Sequence, residues 1–292
     1  MDFLSHPRRS RSLGQIGSIS GHIVDGLRAY SRSIVKGTHE IDVMSEYLIR
    51  ALIAAGCPAE LILDAANTTR DFNTDDDALK LYLPFHESSG ATCADLSGNS
   101  NDGTATGTTI VDGVFGKARS FNGTTDFVDC GNDSSLDIVS TITVEVWMKA
   151  DNAQVGDVVQ PAGKYNYQLV YDHSAAAFQG SFAIKADDWL NCGGPLSISH
   201  GVWHLFAGVY DGTYLKTYLD GAERLSNNIG SVAIATGTSA FMVGANPSTS
   251  DAGIAFNFFA GLADEPRIYS RALSADEMYL HYLAGALKLG LI

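Results

Sequence analysis

Short apolar runs separated by turn residues fill the chain from Ala78 onward. In these runs apolar and polar positions alternate, or β-branched and aromatic residues dominate, as is typical of strands. The runs lie at 79–85, 119–123, 141–150, 165–172, 177–186, 202–212, 213–224, 240–246 and 256–271. Between VYDG and TYLKTYLDG, Gly212 can take a positive φ, which predicts a hairpin. Many short strands with regularly spaced turns predict a two-sheet sandwich or jelly roll.

A helical pattern precedes this region. Thr38 is a good N-cap, and the apolar positions that follow recur every three or four residues until Gly56. These positions are Ile41, Met44, Leu48, Ala51 and Ala55. Pro58 then begins a second short helix. The two helices expose more apolar surface than they can bury on each other, so we expect them to pack on the larger domain or on another chain.

These patterns divide the chain into three predicted parts. Residues 1–37 are rich in Ser, Gly and Arg and are interpreted as an extended basic arm. Residues 38–77 are interpreted as a helical hairpin and linker for anchoring or oligomerisation. Residues 78–292 form the predicted β domain. It ends in a short helix, in which Ser274 and Glu277 have the spacing of a capping box.

Charge is divided unevenly along the 292 residues. The net charge is −14, from 19 Lys and Arg against 33 Asp and Glu. Residues 1–36 hold six basic and two acidic side chains, a net +4, so the remainder carries −18. Nucleic acid is not an expected partner, because a chain this acidic does not neutralise phosphates over its whole surface. The arm, with Arg8, Arg9 and Arg11, is instead expected to contact acidic surfaces of other subunits, including copies of itself.

Hydropathy excludes two further classes. Hydrophobic residues make up 45% of the chain, which is ordinary for a protein with a substantial buried core and excludes a wholly disordered one. The sequence has no run of eighteen apolar residues, so a membrane span is not expected. The opening MDFLSHPRRSRSLGQ lacks the apolar segment of a secretory signal, which predicts synthesis and folding in a cytosol.

The four cysteines do not have the spacing of a metal site. Cys57, Cys93, Cys130 and Cys192 form no CxxC pair and have no His partner at zinc-ligand intervals. We interpret them as buried free thiols in a reducing compartment. A Cys93–Cys130 disulfide is left open as an alternative.

Five blocks in the β region resemble a known family. They begin with LYLPFHESSGATCADLSGNSNDGTATG and DGVFGKARSFNGTTDFVDCG, continue with TITVEVWMKA and WHLFAGVYDGTYLKTYLDG, and close with FAGLADEPRIYSRALSADEM. In this order they resemble the laminin-G-like, concanavalin A-like lectin/glucanase jelly-roll domain over residues 79–285. The resemblance implies one mainly β domain with two antiparallel sheets, of a kind that occurs in carbohydrate-binding modules, adhesins and virion assemblies.

The candidate catalytic residues do not favour an enzyme. Relatives that hydrolyse glycans carry two or three carboxylates on one strand, because an acid and a nucleophile must flank the scissile bond. The corresponding strand here has Glu145 alone. His200 and His204 flank Trp203, where the family carries Trp-His for packing. We therefore interpret Glu145 as structural and expect no catalytic residues.

The resemblance also implies a structural calcium ion. Hard oxygen ligands from loops suit Ca²⁺. In relatives the acid of the F-x-G-x-x-D block and the acidic pair near the C-terminus help to bind it. These positions are Asp126 and Asp264, to which we add Asn122 and, from the first loop, Asp95. The alternative is that Asp and Asn occupy these loops for turn geometry alone.

Glycan binding would need an exposed aromatic side chain with polar neighbours. Trp147 and Trp203 occupy core positions of the family. Trp189, in KADDWLNCGG, is the best candidate for a stacking residue, with Tyr165 and Tyr167 as neighbours. A tryptophan at the edge of the core is the alternative interpretation.

The leading functional hypothesis is a non-enzymatic structural protein of a large assembly, a virion. It would be a capsid or decoration protein, or a tail fibre or spike, made in the host cytoplasm. The arm and the stripe that includes Ile41, Met44 and Leu48 would anchor it, and the jelly roll would face outward toward cell-surface glycans. The alternative is an extracellular carbohydrate-binding lectin or adhesin. A glycan hydrolase is the least favoured class.

Overall fold

The structure is a computed structural model that describes residues 76–152, 154, 158–172, 179–247 and 255–291. The predicted arm at 1–37 and the helical hairpin, with the residues proposed to contact partners there, lie outside the described residues. The predicted jelly-roll domain is almost entirely within them.

The described residues form eighteen strands, one 3-10 turn at Ser134–Leu136 and one α-helix, α1, at Ala275–Leu289. The strands are β1 (Leu79–Tyr82), β2 (Thr92–Cys93), β3 (Gly103–Thr106), β4 (Thr109–Asp112), β5 (Lys117–Asn122), β6 (Phe127–Asp129), β7 (Ile142–Ala150), β8 (Val158–Lys164), β9 (Tyr167–Asp172), β10 (Gln179–Lys185), β11 (Trp189–Pro195), β12 (His204–Tyr210), β13 (Tyr214–Leu219), β14 (Ala222–Asn228), β15 (Phe241–Val243), β16 (Asn246–Pro247), β17 (Ala255–Phe256) and β18 (Ala260–Tyr269).

Two eight-stranded sheets contain nearly all of these strands. The first sheet has the order β14-β13-β12-β7-β18-β5-β4, with β1 also paired to β18. The second has the order β11-β10-β9-β8-β15-β6-β3-β2, and β16 pairs with β17 separately. The pairings in both sheets are antiparallel, for example between β9 and β10 and between β7 and β12. The predicted two-sheet antiparallel sandwich is therefore confirmed.

The main core lies between the two sheets, and strand alternation determines which side chains enter it. On β9, Tyr167, Leu169 and Tyr171 are buried in the core, whereas the intervening side chains face away from it and are less buried. Strand β7 is buried along both faces, because its outer side is covered as well. That covering element is α1.

Helix α1 packs against the outer face of the first sheet around Trp147. Trp147 and Met278 belong to a second buried cluster, and the ring of Tyr282 stacks on that of Trp147 with centroids 5.9 Å apart. A Cβ at Gly285 would overlap the Trp147 ring, so glycine permits the close approach of the helix. The predicted capping box at Ser274 is present. The part of this face around Trp147 is therefore covered by the helix.

Three cysteines are described, and all are buried free thiols. Cys93 on β2 and Cys130 after β6 face each other across Gly103 on β3, the strand between them. Two strand spacings separate their backbones, about 9.6 Å, which exceeds the Cα distance that a disulfide can span. The alternative of a Cys93–Cys130 bridge is therefore not realised.

Within the described ranges, no helix has the length and apolar character needed to cross a membrane.

Candidate functional site

The outer face of the second sheet has a floor of small residues between amide side chains. Gly163 on β8 pairs with Gln168 on β9, which pairs with Ala183 on β10, which pairs with Asn191 on β11. Residues in register lie on the same face, so this row spans three strand spacings, about 14 Å. The row is the centre of what we call the amide face.

Three amide side chains meet at one side of this row, and we call Gln160, Gln168 and Asn246 the amide cluster. The Asn246 amide donates to Gln168 Oε1 at 3.2 Å. Gln160 is 1% exposed and Asn246 is 8% exposed. Both amide atoms of Gln160 and Oδ1 of Asn246 have no hydrogen-bond partner. A Cβ at Gly163 would overlap Gln160 Nε2, so glycine leaves room for this side chain.

Two of the three predicted aromatic residues meet beside this row. The rings of Tyr165 and Trp189 lie edge to face, with centroids 5.2 Å apart and an interplanar angle of 76°. Both side chains are half-buried. Trp189 lies two residues before Asn191 on β11, so the two side chains share the outer face.

Tyr167 does not join this pair, and its prediction as a glycan contact needs correction. It lies on the inner face of β9, is 1% exposed, and donates its hydroxyl to Leu136 O at 2.9 Å. Strand alternation turns it away from Gln168, its neighbour in sequence. A phenol buried in the core cannot stack on a ligand.

The basic side chains near the amide face are engaged with protein oxygens. Lys185 Nζ donates to the carbonyl of Asp187 at 2.6 Å. Lys164 is buried beneath the face, and its amine contacts Asn132 and lies 2.5 Å from Asp137 Oδ1. The side chains of Asp187 and Asp188 are exposed at the rim.

Of the residues proposed to bind calcium, Asn122 and Asp126 are brought together, in one tight turn. Asn122 Oδ1 accepts from the amides of Thr124 and Thr125 at 2.8 and 2.9 Å. Asp126 Oδ2 accepts from the Asn122 amide at 3.1 Å, and its Oδ1 accepts from the Thr125 hydroxyl at 3.0 Å. The oxygens of this loop therefore hold the turn itself.

Asp264 lies elsewhere. Ala260 pairs with Asn122, and Asp264 is four residues farther along β18, about 13 Å from that pair. Two ligands of one Ca²⁺ lie within about 5 Å of each other. Asp264 Oδ2 instead accepts from the amides of Val114 and Phe115 at 2.8 and 3.2 Å.

The environment of Asp264 disfavours its charge. Its side chain is fully buried, and Oδ1 has no hydrogen-bond partner. Burial and the neighbouring Glu265 raise the pKa of Asp264 to about 8, against the lowering effect of the backbone donors. This carboxyl is mostly protonated near neutral pH.

Asp95 stabilises the first loop. Its Oδ1 accepts from the amides of Tyr82 and Ser97, both at 2.9 Å, and its Oδ2 accepts from the Ser97 hydroxyl and the Asn101 amide. Four donors fill the lone-pair positions of a carboxylate. The four proposed ligands thus lie in three separate sites. The part of the chain that the structure describes also has no group of three His, Cys, Asp or Glu side chains placed to hold a metal ion. The calcium ion remains a prediction. The positions of the four proposed ligands do not fit a single shared ion.

Glu145 lies in a buried ion cluster beneath α1. Its carboxylate accepts from Arg267 at 2.9 Å, and His281 Nδ1 lies 2.9 and 3.0 Å from its two oxygens. Burial alone raises the pKa of Glu145, but His281 and Arg267 outweigh it and lower the pKa to about 2. The side chain has no exposed surface, so it cannot reach a glycosidic bond.

The two histidines near Trp203 also have structural contacts. His204 Nδ1 lies 2.8 Å from Asp220 Oδ2, and its Nε2 accepts from the Ser199 amide at 3.1 Å. His200 Nε2 lies 3.0 Å from the Tyr171 hydroxyl. These contacts fix the loop before β12.

Local sequence patterns do not predict the amide cluster. Gln160 and Pro161 interrupt the pairing of β8 with β9, where the register shifts between Val159 and Ala162. A polar residue followed by proline inside an apolar strand is the signal that was available. It did not indicate that Asn246, from a distant segment, would lie beside Gln168.

A family model described as "Concanavalin A-like lectin/glucanases superfamily" matches residues 122–278. No curated protein sequence matches the chain.

Solved structures with similar folds come from secreted enzymes and toxins. Domain 4 of AbnA, a GH43 extracellular arabinanase from Geobacillus stearothermophilus, in complex with arabinotriose, is 22% identical with a TM-score of 0.55. The alignment covers 69% of this chain and 96% of that one. The binding domain of Paraclostridial Mosquitocidal Protein 1 is 17% identical, with a TM-score of 0.56, and 70% of this chain and 52% of that one are covered.

A third similar structure is the ligand-binding domain of botulinum neurotoxin serotype D in complex with N-acetylneuraminic acid. It is 12% identical with a TM-score of 0.53, and the alignment covers 71% of this chain and 51% of that one. This chain therefore spans about half the length of the two toxin chains. At these identities the structures establish the shared fold. The family model covers more than half of the sequence, and the chain belongs to the concanavalin A-like lectin/glucanase superfamily.

Proposed function

We propose that the jelly-roll domain is a non-catalytic carbohydrate-binding module whose ligand lies on the amide face. One observation carries this proposal: the half-buried Tyr165–Trp189 pair and the amide cluster share the outer side of one sheet. On the other sheet, α1 covers the part of the outer face around Trp147.

The chemistry of the face suits a sugar. A sugar ring presents C–H groups on its faces and hydroxyls around its edge. Aromatic rings bury the former, and a few well-placed polar groups orient the latter. Trp189 and Tyr165 supply the rings, while Gln168 and Asn191 supply amides within the same row. Gly163 and Ala183 carry little or no side chain, so the surface between the amide side chains is flat.

The similar structures support a carbohydrate as the ligand class. The arabinanase domain was solved with arabinotriose, and the neurotoxin domain with N-acetylneuraminic acid. Both proteins share this fold and hold saccharides. We assign the same general role to this domain and place the ligand by its own residues.

A hydrolytic role is not part of the proposal. Glu145 is buried between Arg267 and His281, where its carboxylate balances a buried cation. An acid in that position stabilises the sheet under α1. The module is therefore proposed to bind saccharides without cleaving them.

Replacing Trp189 by Ala tests the placement of the ligand. We expect glycans identified on an array to bind the variant roughly tenfold more weakly or worse, because about 1.4 kcal/mol of lost stacking is a tenfold change. Tyr214→Ala is the matched control: Tyr214 is 41% exposed on the other sheet, so its removal leaves affinity unchanged. Equal affinity of the wild type and W189A in titration calorimetry would contradict the placement.

We further propose that this module is carried by a subunit of a large assembly, a virion, as a decoration protein or tail fibre. The separation of charge in the sequence favours this: the first 36 residues carry a net +4 and the rest carry −18. Arg8, Arg9 and Arg11 would contact acidic surfaces of other copies, and the stripe containing Ile41, Met44 and Leu48 would pack between subunits.

Charge reversal in the full chain tests the assembly proposal. Changing Arg8, Arg9 and Arg11 together to Glu is expected to reduce the assembly size seen by light scattering and electron micrographs. The β-domain melting temperature should stay unchanged, since these residues lie outside the jelly roll. A wild-type protein that is monomeric at all concentrations and salt levels would overturn the proposal.

A further inference from the structure

Two amide side chains of the amide face reach solvent on either side of Ala183. Gln168 on β9 and Asn191 on β11 both pair with Ala183 on β10, so the three side chains share the outer face of the sheet. Gln168 is half-buried and Asn191 is exposed. Among the described residues, neither Gln168 Nε2 nor the Asn191 side-chain amide has a hydrogen-bond partner, and neither group is buried. Both are therefore open to a ligand.

The gap between these two amides has the scale of one sugar ring. Two strand spacings separate the backbones of Gln168 and Asn191, about 9.6 Å, and strand side chains stand roughly perpendicular to the sheet. Hydrogen bonds of about 2.9 Å at both amides leave about 4 Å between the two ligand oxygens, which is on the scale of two hydroxyls of a single pyranose ring. Ala183 is 6% exposed and places only a methyl group between the amides, so a ring has room to lie there.

Asn246 holds one of the two amides in place. Asn246 is 8% exposed, and its amide donates to Gln168 Oε1 at 3.2 Å. One end of the Gln168 carboxamide is thus bound within the protein, and the other end remains for a ligand. A side chain that is fixed before binding loses less rotamer entropy when the ligand arrives. Asn246 therefore prepares Gln168 for recognition without contacting the ligand itself.

The aromatic pair lies beside the same gap. Trp189 precedes Asn191 by two residues on β11, about 7 Å along the strand, and its ring meets that of Tyr165. A sugar between the amides is within reach of this ring, which buries C–H groups that the amides do not bond. The stacking contact and the two polar contacts thus converge on one place.

We propose that Gln168 and Asn191 determine the specificity of the module: one pyranose unit lies over Ala183, with hydroxyls on opposite edges bonded to the two amides. Asn246 is the positioning residue for Gln168. This inference rests on the proposed carbohydrate-binding function and deepens it by naming the ligand class. That class is a glycan with a pyranose unit that is unsubstituted at both of these hydroxyls.

Monodeoxy sugars test the ligand class. The probes are the methyl glycosides of glucose, galactose and mannose and their monodeoxy derivatives, titrated against the full chain by ligand-observed NMR. We expect at least one parent glycoside to bind, and two of its derivatives to bind at least about fivefold more weakly, because each lacks a hydroxyl that an amide bonds.

The outcomes separate the inference from the proposed function. If array glycans bind but no parent glycoside does, or if fewer than two derivatives of a bound glycoside bind more weakly, the inference is overturned and the proposed function stands. Binding to no glycan overturns the proposed function, and the inference with it.

Replacing Asn191 by Ala tests the assignment of this amide. We expect an unchanged melting temperature and at least about fivefold weaker binding of the parent glycoside, since the side chain is exposed and has no partner among the described residues. One of the two weak derivatives should bind N191A as well as the parent glycoside does, because its missing hydroxyl has no partner left. Asn228→Ala is the matched control: Asn228 is exposed on β14 of the other sheet, so affinity should stay unchanged. An N191A protein that binds like the wild type would overturn the assignment.

A double-mutant cycle tests the positioning role of Asn246. If Asn246 acts through Gln168, Asn246→Ala weakens binding of the parent glycoside in the wild type and has no further effect in Gln168→Ala. A merely structural contribution of Asn246 would weaken binding equally in both backgrounds, and that result would overturn its assignment as the positioning residue.

Discussion

Two buried carboxyl groups of the first sheet are held in opposite protonation states by their neighbours. Glu145 faces Arg267 and His281, and its pKa is lowered to about 2. Asp264 faces Glu265 and backbone amides, and burial raises its pKa to about 8. Both side chains are 0% exposed, so burial itself does not distinguish them. The position of compensating charge decides which acid ionises.

Replacing Glu145 by Gln is expected to destabilise the domain by about 1.5–3 kcal/mol, because it removes the buried charge that Arg267 and His281 both contact, while Arg267 keeps its second carboxylate partner, Glu265. Urea denaturation followed by circular dichroism measures the change. Glu223→Gln is the control, since Glu223 is an exposed partner of Lys216 at 3.9 Å and should cost less than about 1 kcal/mol. A loss for E145Q no larger than for E223Q would contradict the role of the ion cluster.

The contribution of Glu145 to stability depends on pH with a definite sign. Glu145 has a folded-state pKa below its ordinary 4.5, so its stabilising contribution is present above pH 4.5 and is lost as the pH falls toward 2. In E145Q this acid-side loss should be smaller. Unfolding free energies measured from pH 5 down to pH 2.5 check it, and parallel curves for both proteins would contradict the lowered pKa.

The pH dependence of stability that Asp264 contributes has the opposite sign, because its folded-state pKa lies above its ordinary 3.8. The folded protein keeps a proton that the unfolded chain releases, so stability falls as the pH rises from about 4 to about 8. In Asp264→Asn, the amide oxygen still accepts from Val114 and Phe115, and no charge develops. We expect the wild type to lose at least about 1 kcal/mol more than D264N between pH 5 and pH 8. Equal losses would contradict the raised pKa.

At the scale of elements, local sequence predicts those features that depend on neighbours along the chain. Alternation on β9 and the capping box at Ser274 require only a few consecutive residues, and both are confirmed. The amide cluster requires the β8 bulge at Gln160 and the passage of β16 beside β9. Such placement depends on register between distant segments, which local patterns do not contain.

The difference between local pattern and long-range register also explains which candidate site residues were predicted correctly. Tyr165 lies in the turn between β8 and β9, and Trp189 begins β11 directly after the turn from β10. Because β9 and β10 are neighbours, the two turns lie side by side and the two predicted rings meet. Tyr167 was assigned by proximity in sequence, and strand alternation places it in the core. The calcium ligands were assigned from the family pattern, and the loop hydrogen bonds of Asp95 and Asp126 account for their positions.

Helix α1 provides a test in which local propensity and packing oppose each other. Alanine at position 285 would favour the helix by about 1 kcal/mol over glycine. Its Cβ, however, would overlap the buried Trp147 ring. We expect Gly285→Ala to destabilise the domain by about 1–3 kcal/mol, because the helix must move away from the sheet. A stabilised G285A in thermal unfolding would mean that the helix is not seated on Trp147. Ala284→Gly, with the opposite change one residue earlier, calibrates the propensity contribution.

At the scale of the whole molecule, the two sheets have different tasks. Helix α1 packs over Trp147 on the first sheet and contributes His281 to the ion cluster that contains Glu145, so these contacts stabilise the domain. The second sheet carries unpartnered amides and half-buried aromatic rings on its outer face. Under the proposed function, stability and recognition would belong to different sheets, and substitutions on one should leave the other intact.

A structural calcium ion would act on the whole domain, because its site would join loops from different parts of the chain. Asp95, Asp126 and Asp264 instead bind donors within three separate loops. We therefore expect EDTA to leave the melting temperature of the full chain within about 1 °C of its value in calcium. With ΔΔG of 1 kcal/mol shifting the melting temperature of a domain this size by about 2–4 °C, even weak coupling to an ion is measurable. A fall on chelation that added Ca²⁺ reverses, and added Mg²⁺ does not, would show that a calcium ion contributes to stability through ligands other than this side-chain set.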